Sequence, residues 1–130
     1  MNTYTGKDRM VAAVKGQYAD RVPTTVMFGG YVAKLAGFTM PEFFTDAEKH
    51  AKSHVRAYEI FHPDTMTITG DVYVNAEAFG AKVEFPEDAP PHLTTSVLED
   101  KANLGKLSVP DPEKVSRLCW YLEACERGQI

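Results

Sequence analysis

Asp71 is the side chain of this sequence best placed to do chemistry. It follows Thr65-Met66-Thr67-Ile68-Thr69-Gly70, a short run of β-branched and apolar residues closed by glycine, so its carboxylate stands at the C-terminal end of a predicted strand. In parallel α/β folds that edge is where the groups that touch ligands collect. An aspartate there can equally cap the helix that follows. The corresponding stretch after an earlier predicted strand reads Phe28-Gly29-Gly30-Tyr31. Its glycines permit close backbone approach to a ligand, or simply allow a tight turn.

His50 and His54 lie four apart within a predicted helix, a spacing that puts two imidazoles on one face. The motif lacks the glutamate of a zinc protease and His54 falls on the apolar stripe, so both are read as core or surface residues and no metal site is assigned. His62 and His92 adjoin prolines at element ends and take loop roles. Cys119 and Cys125 are the two cysteines, and their separation fits neither a CxxC redox pair nor a zinc knuckle. They occupy or flank the apolar stripe of the last predicted helix and are expected to be buried and inert, with Arg117 the one basic neighbour. No Walker loop, GxGxxG, GxSxG or aromatic-basic interleaving is present, which removes the carriers of nucleotide, dinucleotide, hydrolase and RNA-module readings.

Alternating helix and strand signals must position these residues. Thr5 with Asp8 forms an acidic variant of the capping box, opening a short helix through Met10, Val11 and Val14 to Gly16. Residues 22–28 read as a buried strand with Pro23 tolerated at its start. Residues 31–36 read as one or two helical turns stopped by Gly37. Thr45-Asp46-Ala47-Glu48 is read as a capping box for a longer helix that carries Ala47, Ala51, His54, Val55 and Tyr58 on one face and ends at Phe61-His62-Pro63. After the strand at 65–69, residues 74–79 form a helix stopped by Gly80. Five of the eight prolines fall between Pro86 and Pro112, which predicts an extended and mostly irregular excursion there. Asp111-Pro112-Glu113 then reads as the N-cap of a last helix running to about Arg127, with Val115, Leu118, Cys119 and Leu122 on its inner face.

This order of strands separated by helices is that of a parallel α/β architecture. Two parallel strands alone cannot cover the apolar faces of so many helices, so the elements read as part of a larger sheet.

Composition bounds the function classes. The chain has 130 residues, 44% hydrophobic and 25% charged, as ordinary globular proteins do. Its 14 basic and 18 acidic side chains give a net charge of −4, which argues against a nucleic-acid or anionic-membrane partner that needs a basic face. No run approaches the roughly 18 apolar residues of a membrane helix, and the N-terminus has no signal-peptide block, so a cytoplasmic location is expected.

Thr5-Gly6-Lys7-Asp8-Arg9-Met10 with Ala12-Ala13 and Asp20-Arg21-Val22-Pro23 resembles the opening of the uroporphyrinogen decarboxylase superfamily, which includes corrinoid-dependent methyltransferases. Gly70-Asp71-Val72-Tyr73 with Glu77-Ala78-Phe79-Gly80-Ala81-Lys82-Val83 is similar to its second block. Val109-Pro110-Asp111-Pro112-Glu113 resembles its link into the next helix. The resemblance implies a TIM barrel, which needs about 250 residues. The chain is therefore expected to be the N-terminal segment of such a barrel over 1–130, incomplete through truncation, proteolysis or a split gene. Another chain, or a self-associated copy, is the expected complement.

The decarboxylases of this family carry two arginines after the first strand that clamp an acidic tetrapyrrole. Here that loop reads Met27-Phe28-Gly29-Gly30-Tyr31-Val32-Ala33-Lys34, with no arginine. The resemblance therefore points to the methyltransferase branch, in which a methyl group moves between a methyl-corrinoid protein and a thiol or tetrahydrofolate. A tetrapyrrole decarboxylase and a non-catalytic assembly module are the alternatives. For thiol-using members the resemblance implies zinc, held by His and Cys residues that none of these positions matches. It assigns Asp71 to the active site, with an orienting or hydrogen-bonding role expected in a methyltransferase. Phe28, Gly29, Tyr73 and Glu77 are the implied substrate-lining residues.

Overall fold

The structure, a computed structural model, describes residues 4–128. Helix α1 (Gly6–Val14) starts as its sequence predicts: the Asp8 N–H donates to Thr5 Oγ1 at 3.2 Å and the Thr5 N–H donates to the Asp8 carboxylate at 3.0 Å. The family-like opening residues then tie this helix to the strands. Asp64 accepts from Arg9, from both terminal nitrogens of Arg21, and from the backbone N–H and hydroxyl of Thr24. Arg9 also pairs with Asp20 at 2.7 Å. Backbone donation by Thr24 and the two arginines holds the Asp64 carboxyl well below its ordinary pKa.

Strands β1 (Thr25–Val26) and β2 (Thr65–Met66) pair in parallel, Thr25 opposite Thr65 and Val26 opposite Met66. They are shorter than the runs 22–28 and 65–69, because each has a single neighbour among the described residues and Pro23 brings no N–H to a ladder.

Between them lie α2 (Tyr31–Ala36), α3 (Met40–Thr45) and α4 (Ala47–Phe61). The separate helix α3 was not predicted. Thr39 and Glu42 form its capping box, with Pro41 in its first turn. That corrects the start of α4: Thr45 closes α3, its hydroxyl donating to the Pro41 carbonyl, and Asp46 is the N-cap of α4, accepting from the Lys49 N–H at 3.0 Å. His62 ends α4 in the left-handed conformation, at φ 45°. Small residues at Ala47, Ala51, Ser53 and Ala57 let α4 pack closely against α2, α3 and α6. One core joins Val32, Ala33, Phe43, Phe44 and Ala57, with Phe28, Met66 and Phe85 against it; a second joins Ala47, Val74, Trp120 and Ala124.

Helix α5 (Val74–Ala78) follows β2 as predicted. The expected irregular excursion instead contains an antiparallel hairpin, β3 (Lys82–Glu84) with β4 (His92–Thr95), and a 3-10 helix (Lys101–Lys106). Pro86, Pro90 and Pro91 sit in the hairpin's connection, outside the ladder, whose one register shift lies at Lys82/Val83, so the prolines mark a loop and not the absence of structure. Helix α6 (Ser116–Arg127) begins a turn later than predicted. Asp111 closes a separate turn, its side chain accepting from Glu113 N–H and its carbonyl from Lys114 and Val115. The inner face is also shifted: Arg117, Trp120 and Ala124 are buried, Leu122 is exposed, and Cys119 and Cys125 are half-buried instead of buried.

Candidate active site at the C-terminal edge of the parallel strands

The chain leaving β2 is fixed by α6 before it reaches Asp71. The Tyr121 hydroxyl donates to the Ile68 carbonyl at 3.0 Å. A Cβ on Gly70 would stand 3.2 Å from the Tyr121 ring and 3.5 Å from that of Trp120, so glycine lets two aromatic rings close over the strand exit. Asp71 then turns the chain into α5, one carboxylate oxygen accepting from the Tyr73 N–H at 2.8 Å. This is the Asx-turn use of aspartate. The other oxygen pairs with Nη2 of Arg117, and Nη1 of the same guanidinium donates to Glu77 at 2.7 Å.

Arg117 thus joins the exit of β2 to α5 and α6, and its guanidinium also lies over the Phe85 ring, 4.7 Å from the centroid, and over Trp120 at 5.3 Å. The Asp71 side chain keeps 5% of its surface and Glu77 keeps 28%, so the open side of the cluster is at Glu77. Two carboxylates against one guanidinium leave one net negative charge.

The imidazoles of α4 lie beneath this cluster. His50 stacks on Phe43 at 4.2 Å and meets Trp120 edge-on at 5.0 Å. Its Nδ1 is 2.9 Å from the Phe43 carbonyl and His54 Nδ1 is 3.0 Å from the His50 carbonyl, which assigns the proton to Nδ1 in both. Burial, followed by the neighbouring His54, pushes the His50 pKa down to about 4; burial also lowers that of His54. Both rings are neutral at pH 7. They do not offset the negative charge of Asp71 and Glu77.

The five anticipated site residues divide between two loops. Asp71, Glu77 and the backbone of Tyr73 are brought together around Arg117. Phe28 and Gly29 belong to the loop after β1. The Phe28 ring stacks on Phe61 at 5.2 Å and packs on the first core. Gly29 has φ 52° and no atom within 4 Å of an added Cβ, so the turn itself requires the glycine. Met27, Tyr31 and Val72, on the loops that follow the two strands, are exposed. Arg117 is the residue missed as a site member. The apolar stripe read from the sequence, Val115, Leu118, Cys119 and Leu122, leaves Arg117 off the inner face; the face that α6 actually buries carries Arg117 with Trp120 and Ala124, and a buried guanidinium needs carboxylate partners.

A family model described as uroporphyrinogen decarboxylase (URO-D) matches residues 5–128. The chain belongs to the uroporphyrinogen decarboxylase family.

The fold of this family is a TIM barrel, and the two parallel strands with their helices are part of one. A methyltransferase from Methanosarcina mazei superposes with a TM-score of 0.78 at 24% sequence identity, over 97% of this chain. The match covers 38% of that protein's chain. No curated protein matches. In this member of the uroporphyrinogen decarboxylase family, no group of three or more His, Cys, Asp or Glu among the described residues could hold a metal ion. The Nδ1 atoms of His50 and His54 are occupied by backbone carbonyls. Their buried Nε2 atoms have no hydrogen-bond partner, but two imidazoles without a third ligand among the described residues fall short of the three or four protein ligands of a zinc centre. Among the described residues no helix is long and apolar enough to cross a membrane.

Proposed function

We propose that the chain is the opening part of a methyltransferase barrel that moves a methyl group between a methyl-corrinoid protein and a thiol or tetrahydrofolate. The observation that carries this reading is the charge balance at the C-terminal edge. Arg117 is already shared by Asp71 and Glu77, and residues 27–34 after β1 offer Lys34, on α2, and no arginine. A tetrapyrrole bearing many carboxylates would meet a net negative site without the guanidinium clamps such a ligand needs. Methyl transfer makes no such demand. The likeness to the Methanosarcina mazei protein, whose name is methyltransferase, supports the same branch.

In this reading Asp71 is the residue at the site that accepts hydrogen bonds. Its two oxygens hold about four lone-pair positions, of which Tyr73 and Arg117 use two, leaving acceptor capacity for a ligand N–H or O–H. Phe28 and Gly29 line the same edge from the loop after β1, and Tyr73 and Glu77 from the start of α5. The corrinoid is brought by a partner protein. The test is turnover by the full gene product of methylcobalamin with 2-mercaptoethanol or tetrahydrofolate, beside uroporphyrinogen. Methyl transfer is expected; turnover of the porphyrinogen alone would overturn the reading.

A further inference from the structure

The reading above leaves open what holds Asp71 in place. Tyr121 and Trp120 hold the backbone up to Gly70, but they do not touch the Asp71 carboxylate itself. Its orientation here comes from two contacts, the Tyr73 N–H on one oxygen and Arg117 on the other. The first is local and follows from the turn. The second spans 46 residues and brings in a different helix.

Arg117 is itself fixed from four sides. Asp71 and Glu77 each take one terminal nitrogen, and the rings of Phe85 and Trp120 lie against the guanidinium. A planar cation held by two carboxylates and two ring faces has few alternative rotamers, so it can serve as a rigid reference for the groups it touches. We propose that Arg117 is a positioning residue that acts through Asp71, aiming its carboxylate at the ligand and linking it to Glu77 at the open side of the site. This rests on Asp71 belonging to the active site. Arg117 keeps 10% of its side-chain surface and makes no ligand contact of its own in this role.

The prediction is specific in geometry. Lysine keeps the charge but donates from a single point, so it cannot hold Asp71 and Glu77 together as the guanidinium fork does. Displacing a positioned group by about 1 Å can cost on the order of a hundredfold in rate. Arg117→Lys is therefore expected to lower kcat with KM less affected, by roughly tenfold to a hundredfold. Because the residue acts through Asp71, its effect should vanish once Asp71 is gone.

The experiment is a double-mutant cycle in the full gene product, using whichever of the two reactions it turns over. Arg117→Lys, Arg117→Met, Asp71→Asn and the combinations are compared in kcat and KM, with thermal midpoints measured in parallel. If Arg117→Met does not fold, the cycle is completed with Arg117→Lys alone. The expected result is that Arg117→Lys lowers kcat and that the double variant is no worse than Asp71→Asn. Wild-type kcat in Arg117→Lys, or additive losses in the double variant, would overturn the positioning role while leaving Asp71 in the site. Unchanged kinetics in Asp71→Asn would overturn the site reading and this role with it.

Discussion

Arg117 in the first turn of α6 and Asp71 at the exit of β2 are joined by a buried ion pair across 46 residues of sequence. The pair closes the second core, since Trp120, one turn along α6, packs against Val74 of α5 within that core. It ties the stability of this part of the fold to the geometry of the candidate site.

Breaking that pair from the arginine side should be costly. Arg117→Met leaves Asp71 and Glu77 facing each other with no counter-charge in a largely buried position, and removal of one partner of such a pair typically costs about 3–5 kcal/mol. Urea denaturation checks this. A loss below about 1 kcal/mol would mean that the pair behaves as an exposed one.

The two α4 histidines predict a pH dependence of stability. The folded-state pKa of His50 is lowered from 6.5 to about 4, and that of His54 is lowered too, so unfolding takes up protons as the pH falls below 6.5. Their stabilisation is complete above the unfolded value and is lost as the pH falls toward 4, by roughly 3 kcal/mol for His50. His50→Asn retains a donor for the Phe43 carbonyl without titrating. Urea midpoints measured from pH 7 to 4 should therefore fall less steeply in His50→Asn than in the wild type. Glu42, lowered to about 2 chiefly by Lys49, acts between 4.5 and 2, overlaps the scan only below 4.5, and is common to both proteins, so it does not mask the difference.

At the opposite edge, Asp64 gathers Arg9, Arg21 and Thr24 and so fastens α1 and residues 20–24 to the start of β2. Asp64→Ala removes the carboxylate shared by Arg9, Arg21 and Thr24 and leaves Arg9 paired with Asp20 alone. The thermal midpoint should fall, and limited proteolysis should cut the turn around Gly16–Ala19 faster than in the wild type. Equal cleavage rates would show that α1 is held by other contacts.

Two glycines should respond differently to the same substitution. A Cβ on Gly6 would stand 2.6 Å from the Asp64 carbonyl oxygen and 2.9 Å from its Cα, both backbone atoms. A Cβ on Gly30 would meet the end of the Met40 side chain at 2.7 Å. Overpacking against backbone costs about 1–3 kcal/mol, whereas a terminal thioether can swing aside. Gly6→Ala should lower the urea midpoint clearly more than Gly30→Ala.

Much of this arrangement is readable in the residues. The Thr5/Asp8 cap, the stop of α4 at His62-Pro63 and the parallel order of the two strands follow from local chemistry. What escaped was set by partners far along the chain. The hairpin β3–β4 forms across a proline-containing connection, and prolines read one at a time suggest irregularity. Capping chemistry at Thr39 and Glu42 adjoins that at Asp46, and two adjacent caps merge into one approach until α3 is seen. At the candidate site, the position of Asp71 after a strand and of Glu77 on the helix that follows was legible. Arg117 was not, because an ion pair spanning 46 residues has no local spacing.

The most direct test of the account is the kinetics of Asp71→Asn in the full gene product, assayed with methylcobalamin plus 2-mercaptoethanol or tetrahydrofolate and, in parallel, with uroporphyrinogen. Methyl transfer by the wild type, with kcat/KM lowered by about tenfold or more in Asp71→Asn and the fold retained, is the predicted result. Turnover of uroporphyrinogen alone, or methyl transfer unchanged by the substitution, would contradict it.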